Sequence, residues 1–170
     1  MQSDSWFFRI TPLTGLGMIV ILSAFVLLGA FFFQFVIGVP PCSLCYQQRY
    51  PYYAAILVAL LACLMPDRIR RYAFWFLALI FFGGMILAAY HAGVEWGWWE
   101  GPTTCSSIEP VPGSVDDLLS AFETTTQLPS CSEAGWRFLG LSLAGWNTLV
   151  SCGLLISTLL IRKITAARSV

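Results

Sequence analysis

LTGLGMIVILSAFVLLGAFFFQFVIGV, residues 13–39, carries no charged side chain along its whole length. A helix crossing the hydrocarbon core of a bilayer needs roughly 17–25 predominantly apolar residues, so this run predicts a membrane span. A cleaved signal segment has an apolar core of only about 7–15 residues, and the run is read as a retained span. Three further apolar runs follow, at about 48–65, 72–91 and 139–161, the second slightly short. The composition agrees. Of 170 residues, 58% are hydrophobic and 11% charged, against roughly 25% charged in a soluble domain. Nine basic and nine acidic side chains could not cover a water-exposed surface of this size, whereas a membrane protein has lipid as solvent over much of it. The expected fold class is an all-α membrane protein, a four-transmembrane-helix bundle forming one domain over residues 1–170. The formal net charge of zero lacks the basic excess of a nucleic-acid binder, and no nucleic-acid partner is expected.

The position of the charges is more informative than their sum. The N-terminus, the turn at 66–71 and the C-terminal tail hold Arg9, Arg68, Arg70, Arg71, Arg162, Lys163 and Arg168, with Asp4 and Asp67 as their only acids. The other side holds Arg49 and Arg137 with Glu95, Glu100, Glu109, Asp116, Asp117, Glu123 and Glu133. Seven basic residues against two acids mark the cytoplasmic side. Both termini and the short turn are therefore expected inside, and the segment at 40–47 and the long loop at 92–138 outside. Trp6, Phe7, Phe8, Trp96, Trp98, Trp99, Trp136 and Trp146 lie near span ends, where aromatic belts form. The tight turn at 66–71 makes the second and third spans antiparallel neighbours. The long loop is too long for a simple connection, and its prolines argue against one continuous helix. Residues 115–122 predict a short amphipathic helix, with Leu118, Leu119 and Phe122 on one face.

This topology sorts the six cysteines. Cys63 and Cys152 fall within spans and read as small buried hydrophobes. Cys42, Cys45, Cys105 and Cys131 face outward, into a compartment that permits disulfides. Four cysteines allow three pairings; pairing each with its own segment is the simplest. Cys42-Ser-Leu-Cys45 is a C-x-x-C pair. A structural bridge closing so short a ring gains little chain entropy, whereas the motif suits reversible thiol chemistry because it commonly lowers the attacking thiol's pKa. The competing reading is a four-sulfur zinc site with Cys105 and Cys131. Structural zinc sites usually use two short-spaced pairs, and the second pair here is widely spaced, so no metal is expected.

The surroundings of the pair support thiol chemistry. Pro40-Pro41 ends the first span and leaves Cys42 and Cys45 in a bend at the membrane surface. A thiolate at Cys45 would lie near the start of the next helix, where the macrodipole favours negative charge. Pro51 belongs in a helix's first turn, which moves that start towards Gln48. Arg49 either snorkels to headgroups or stabilises a thiolate or a reduced carrier's oxygen. His91, the chain's single histidine, ends the third run at a similar depth.

Taken together, Pro41-Cys-Ser-Leu-Cys45, Gln48-Arg49, His91, the two loop cysteines and Cys131-Ser-Glu-Ala-Gly-Trp136-Arg-Phe-Leu-Gly140-Leu resemble the disulfide bond formation protein B (DsbB) family over nearly the whole chain. The resemblance implies an inner-membrane enzyme that reoxidises a periplasmic DsbA-type thiol oxidase and reduces a quinone, ubiquinone or menaquinone. It implies that Cys105 forms the mixed disulfide with the partner and that Cys105 and Cys131 pass electrons to Cys42 and Cys45. It further implies that Cys45 faces the quinone and that Arg49, His91 and Gln48 belong to the quinone site. Gln47 departs from the family, which often has an aromatic residue there. The chemistry is coherent: DsbA is a strong oxidant at about −120 mV, so its reoxidation needs an external acceptor. Two other readings stand beside this one. A vitamin K epoxide reductase-like protein would carry its C-x-x-C late in the bundle. A membrane scaffold or metal-binding protein would use the loop bridge structurally.

Overall fold

The computed structural model describes residues 11–102 and 130–167. The chain runs through α1 (Pro12–Phe35), α2 (Ser43–Gln47), α3 (Tyr50–Cys63) and α4 (Asp67–Glu95), then the strands β1 (Arg137–Phe138) and β2 (Leu141–Ser142), then α5 (Leu143–Ala167). Three of these helices, α1, α4 and α5, are long and apolar enough to cross a membrane. Helix α3, with 14 residues, is shorter. Cys105, the expected helix at 115–122 and the charged and aromatic residues of the extreme termini lie outside the described residues.

Local chemistry explains the helix boundaries. Thr11 and Thr14 form a reciprocal cap at the start of α1, with Pro12 in its first turn. At its other end Gly38 adopts a φ of +80°, a left-handed conformation that costs glycine nothing, and Pro40-Pro41 prevents the helix from resuming. The next helix is interrupted. Gln48 and Arg49 keep right-handed helical angles between α2 and α3, but Pro51 cannot donate a backbone hydrogen bond and takes a place in the first turn of α3. The helix start expected near Gln48 falls at Tyr50, after a break between Gln47 and Tyr50. At the far end of α3, Arg70 reaches back from α4 and donates to the carbonyls of Ala62, Cys63 and Met65 at 3.2, 3.3 and 2.8 Å, while pairing with Asp67 at 2.5 Å. These carbonyls lie at and just beyond the end of α3, where a helix runs out of intrahelical donors.

Two expectations are corrected. The protein is not wholly α-helical, because β1 and β2 form an antiparallel hairpin with Arg137 opposite Ser142 and Phe138 opposite Leu141. Leu139 and Gly140 make its two-residue turn, with φ of 51° and 81°, as a type I′ turn requires. The last helix thus begins at Leu143, not at residue 139; the apolar Leu139 and Leu141 belong to the hairpin. In addition, Cys63 and Cys152 are half-buried thiols rather than core residues.

The core is formed where α1, α3, α4 and α5 meet. Leu16, Ile19, Ala55, Ala59, Phe74, Leu77, Phe81 and Ile161 are among its buried members. Ala55, Ala59 and Ala62 put small side chains on one face of α3, which permits close helix approach. Gly84 does the same for α4: a Cβ there would meet the Pro51 ring at 3.1 Å. The outward face is inverted relative to a soluble protein, with Ile21, Phe25, Leu57 and Leu79 all exposed, as a lipid-facing surface requires.

Candidate redox site

The interrupted helix places the thiols. Cys42 is the N-cap of α2, and its sulfur accepts the backbone N–H of Cys45 at 3.3 Å. A sulfur thus occupies the capping role usually taken by a serine or aspartate oxygen. The sequence had assigned Cys45 to the helix start; Cys42 holds that position, because Pro51 leaves α2 as a separate turn ahead of α3. The two sulfurs share a hydrogen bond at 2.8 Å, and both are free thiols. Helix α4 brings His91 to the pair, with Nε2 at 3.6 Å from the Cys42 sulfur. One turn further along, the buried Glu95 carboxylate lies 3.9 Å from the same nitrogen. Ser142 of β2 donates to Glu95 and accepts from the backbone of Gly145 at 3.1 Å, tying the hairpin to the site.

The thiols have opposite electrostatics. The hydrogen bond shared with Cys45 holds the Cys42 thiol down at about 4, against burial, with a hydrogen bond from His91 adding to the effect. The same shared hydrogen bond, followed by burial, pushes Cys45 up well beyond the ordinary thiol range. With a backbone N–H and an imidazole also directed at it, Cys42 is the natural acceptor, and the shared proton resides on Cys45. The arrangement can hold one thiolate and one thiol side by side at neutral pH, and a thiolate is the form that attacks disulfides.

Cys131 is disulfide-bonded and lies against the same site. Only 1% exposed, it packs with Cys42, Leu44 and Val94, and its sulfur is 3.5 Å from the Ser43 hydroxyl. The structure therefore gathers Cys42, Cys45, Gln48, His91 and Cys131. Arg49 points elsewhere. It donates to Gln34 of α1 at 2.8 Å and lies over the rings of Phe31 and Tyr46 at 5.1 and 5.0 Å. A further polar set lies behind His91. Gln48 bonds its Nδ1 at 2.5 Å, Asn147 of α5 bonds Gln48 at 2.6 Å, and Tyr52 of α3 bonds both Asn147 and Ser151. Glu95, Ser142, Asn147, Tyr52 and Gln34 were not singled out from the sequence. Asn147 and Gln34 could have been, because a polar side chain inside an apolar run is costly unless it has a partner. Aromatic side chains cover the flank: the Trp99 ring stacks on Tyr90 and fills the space a Cβ at Gly93 would need.

A buried thiolate–thiol pair, a neighbouring disulfide-bonded cysteine and lipid-facing helices define a membrane-embedded thiol oxidoreductase. The chain belongs to the DsbB family: the family model for disulfide bond formation protein DsbB matches residues 14–161. Curated relatives agree. The chain is 33% identical to disulfide bond formation protein B of Marinobacter nauticus over 140 residues, covering 78% of this chain and 81% of the relative. It is 32% identical to the protein of that name from Xanthomonas campestris pv. campestris over 161 residues, covering 91% and 90%. The Aromatoleum aromaticum protein is 30% identical over 148 residues, covering 81% and 82%. The family assigns this protein a role in disulfide bond formation and an oxidoreductase activity on thiols.

Proposed function

We propose that the protein is a quinone-dependent thiol oxidase of the bacterial inner membrane that reoxidises a periplasmic DsbA-type dithiol. The observation that carries this reading is the packing of disulfide-bonded Cys131 against Cys42. Two cysteine pairs that exchange electrons must meet, and Cys131 lies in one buried cluster with Cys42, against which Cys45 packs. In the proposed route the partner's thiolate attacks the Cys105–Cys131 bridge at Cys105, and Cys131 leaves with the electron pair. The partner's second thiolate then releases it as a disulfide, leaving Cys105 and Cys131 as a dithiol. That dithiol attacks the Cys42–Cys45 disulfide, the loop bridge reforms, and Cys42 and Cys45 are left reduced. Free thiols at Cys42 and Cys45 beside a disulfide-bonded Cys131 are consistent with the end of that route.

The residues around Arg49 suit a quinone. A guanidinium held by Gln34 between Phe31 and Tyr46 offers remaining N–H groups to a ring oxygen, beside aromatic faces that suit a flat ring. A bound quinone would take up the two electrons and two protons that the thiol pair gives up. Cys45, protonated and half-buried, holds one of those protons next to its partner thiolate. In the same reading, residues 48–65 complete a fourth span beside α1, α4 and α5, and the loops face the periplasm. A metal-binding role finds support in three donors, Cys42, Cys45 and His91, lying within 4.8 Å of one another; this is not the four-cysteine set weighed from the sequence.

The test is turnover. Cys42→Ser and Cys45→Ser, each purified in detergent and given a reduced DsbA-type partner and a soluble quinone analogue, are expected to lose quinone reduction completely. Retained turnover in either variant refutes the route, and stoichiometric zinc in protein purified without added metal would favour the metal role.

A further inference from the structure

The polar side chains behind His91 form one directional chain. Tyr52 and Ser151 are both 2% exposed, and Asn147 joins them to Gln48. An amide nitrogen only donates and an amide oxygen only accepts. Once one amide is oriented, its neighbour is oriented too. Two directions satisfy the interior of the chain equally well, so its end at His91 decides between them. There Nε2 faces the Cys42 sulfur and the Glu95 carboxylate. Cys42 already receives the Cys45 N–H, and Glu95 already receives the Ser142 hydroxyl. Both are acceptors, and a lone pair on Nε2 would oppose them. Nε2 therefore carries a proton, and the amide atoms as placed make Nδ1 the acceptor from Gln48 Nε2, Gln48 Oε1 the acceptor from Asn147 Nδ2, and Asn147 Oδ1 the acceptor from Tyr52.

We propose that Asn147 is a positioning residue for the thiol pair: through Gln48 it holds His91 in the neutral tautomer that carries its proton on Nε2, facing the Cys42 sulfur. Asn147 touches neither sulfur. It acts by presenting the Gln48 amide nitrogen, and not its oxygen, to the imidazole. The same direction disfavours metal ligation at this cluster, since a ligating Nε2 needs its lone pair free and usually has an acceptor, not a donor, behind Nδ1.

The inference rests on Cys42 being the redox thiol, but its test needs neither partner nor quinone, so it can fail independently of the proposed route. The protein contains a single histidine, and nitrogen-15 labelling of histidine therefore reports one ring. Reduced wild-type protein is expected to show Nε2 protonated and Nδ1 bare. In Asn147→Asp the carboxylate can only accept, so Gln48 must turn its nitrogen towards residue 147 and its oxygen towards His91. The proton should move to Nδ1. Gln48→Glu should likewise place a proton on Nδ1, from a different residue, which covers the case in which one variant fails to fold. In Asn147→Asp the thiolate titration of Cys42 should shift upwards, because the hydrogen bond from His91 to the charged form is lost, while Cys45 from α2 and Glu95 from α4 still face it. A wild-type ring protonated at Nδ1 or at both nitrogens overturns the proposal, as does an Nδ1 still bare in folded variants.

Discussion

At the scale of single residues, the behaviour of the site depends on the asymmetry between Cys42 and Cys45. A thiol held at about 4 is almost wholly ionised at neutral pH. Its lowered value favours the reduced, folded form: that stabilisation is complete above the ordinary thiol value of 9.0, shrinks as pH falls, and is gone once pH passes below about 4. The ultraviolet thiolate absorbance of the reduced wild type should accordingly show a titration step near pH 4 that is missing from Cys42→Ser. A missing step in the ordinary thiol range instead would show that Cys45 and His91 do not direct protons at this sulfur. The cysteines and His91 were legible in the chain because their spacing or rarity is informative by itself, whereas Gln48 was marked only by the family resemblance. Tyr52 and Asn147 were not, because each looks like an ordinary residue of an apolar helix until the other lies beside it. Arg49 was legible as an important cation, but the side chains that hold it, Gln34 and Phe31, come from a different helix.

At the scale of elements, the apolar runs and their proline boundaries located the helices well. The proline pair at 40–41 and Pro51 act through the missing backbone N–H, a local effect that a sequence displays directly. The hairpin at 137–142 was hidden for the opposite reason. Leu139 and Leu141 continue an apolar run, while the turn is set by two positive φ angles that nothing in hydropathy reveals. The charge pattern likewise showed Arg70 only as part of a basic cluster. Its structural role is to complete the end of α3, with three carbonyls and one carboxylate around a single guanidinium. Arg70→Ala should lower stability by about 1–3 kcal/mol, read as an earlier thermal transition in detergent. Arg70→Lys should recover only part of the loss, because an ammonium lacks the planar fork. A transition unchanged in the alanine variant would mean that water or lipid headgroups satisfy those carbonyls equally well.

At the scale of the whole molecule, the proposed orientation depends on seven basic residues facing two acids across the termini and the turn at 66–71. A fluorescent protein fused after residue 170 should mature and emit, whereas an alkaline phosphatase fused there should be inactive. The reverse result would put the thiols in the cytoplasm, where disulfides are not maintained. The long-range contacts also bear on how the protein is made. Gln48 and Asn147 stand 99 positions apart, and Asn147 belongs to α5, which leaves the ribosome after α4. A nascent chain can bring Cys42, Cys45 and His91 together as soon as α4 is in place, well before the amide that orients the imidazole has been synthesised. Competence of the thiol pair is thus tied to the synthesis of α5, and a truncated product that retains Cys42, Cys45, Cys105 and Cys131 but ends before Asn147 need not hold a competent pair.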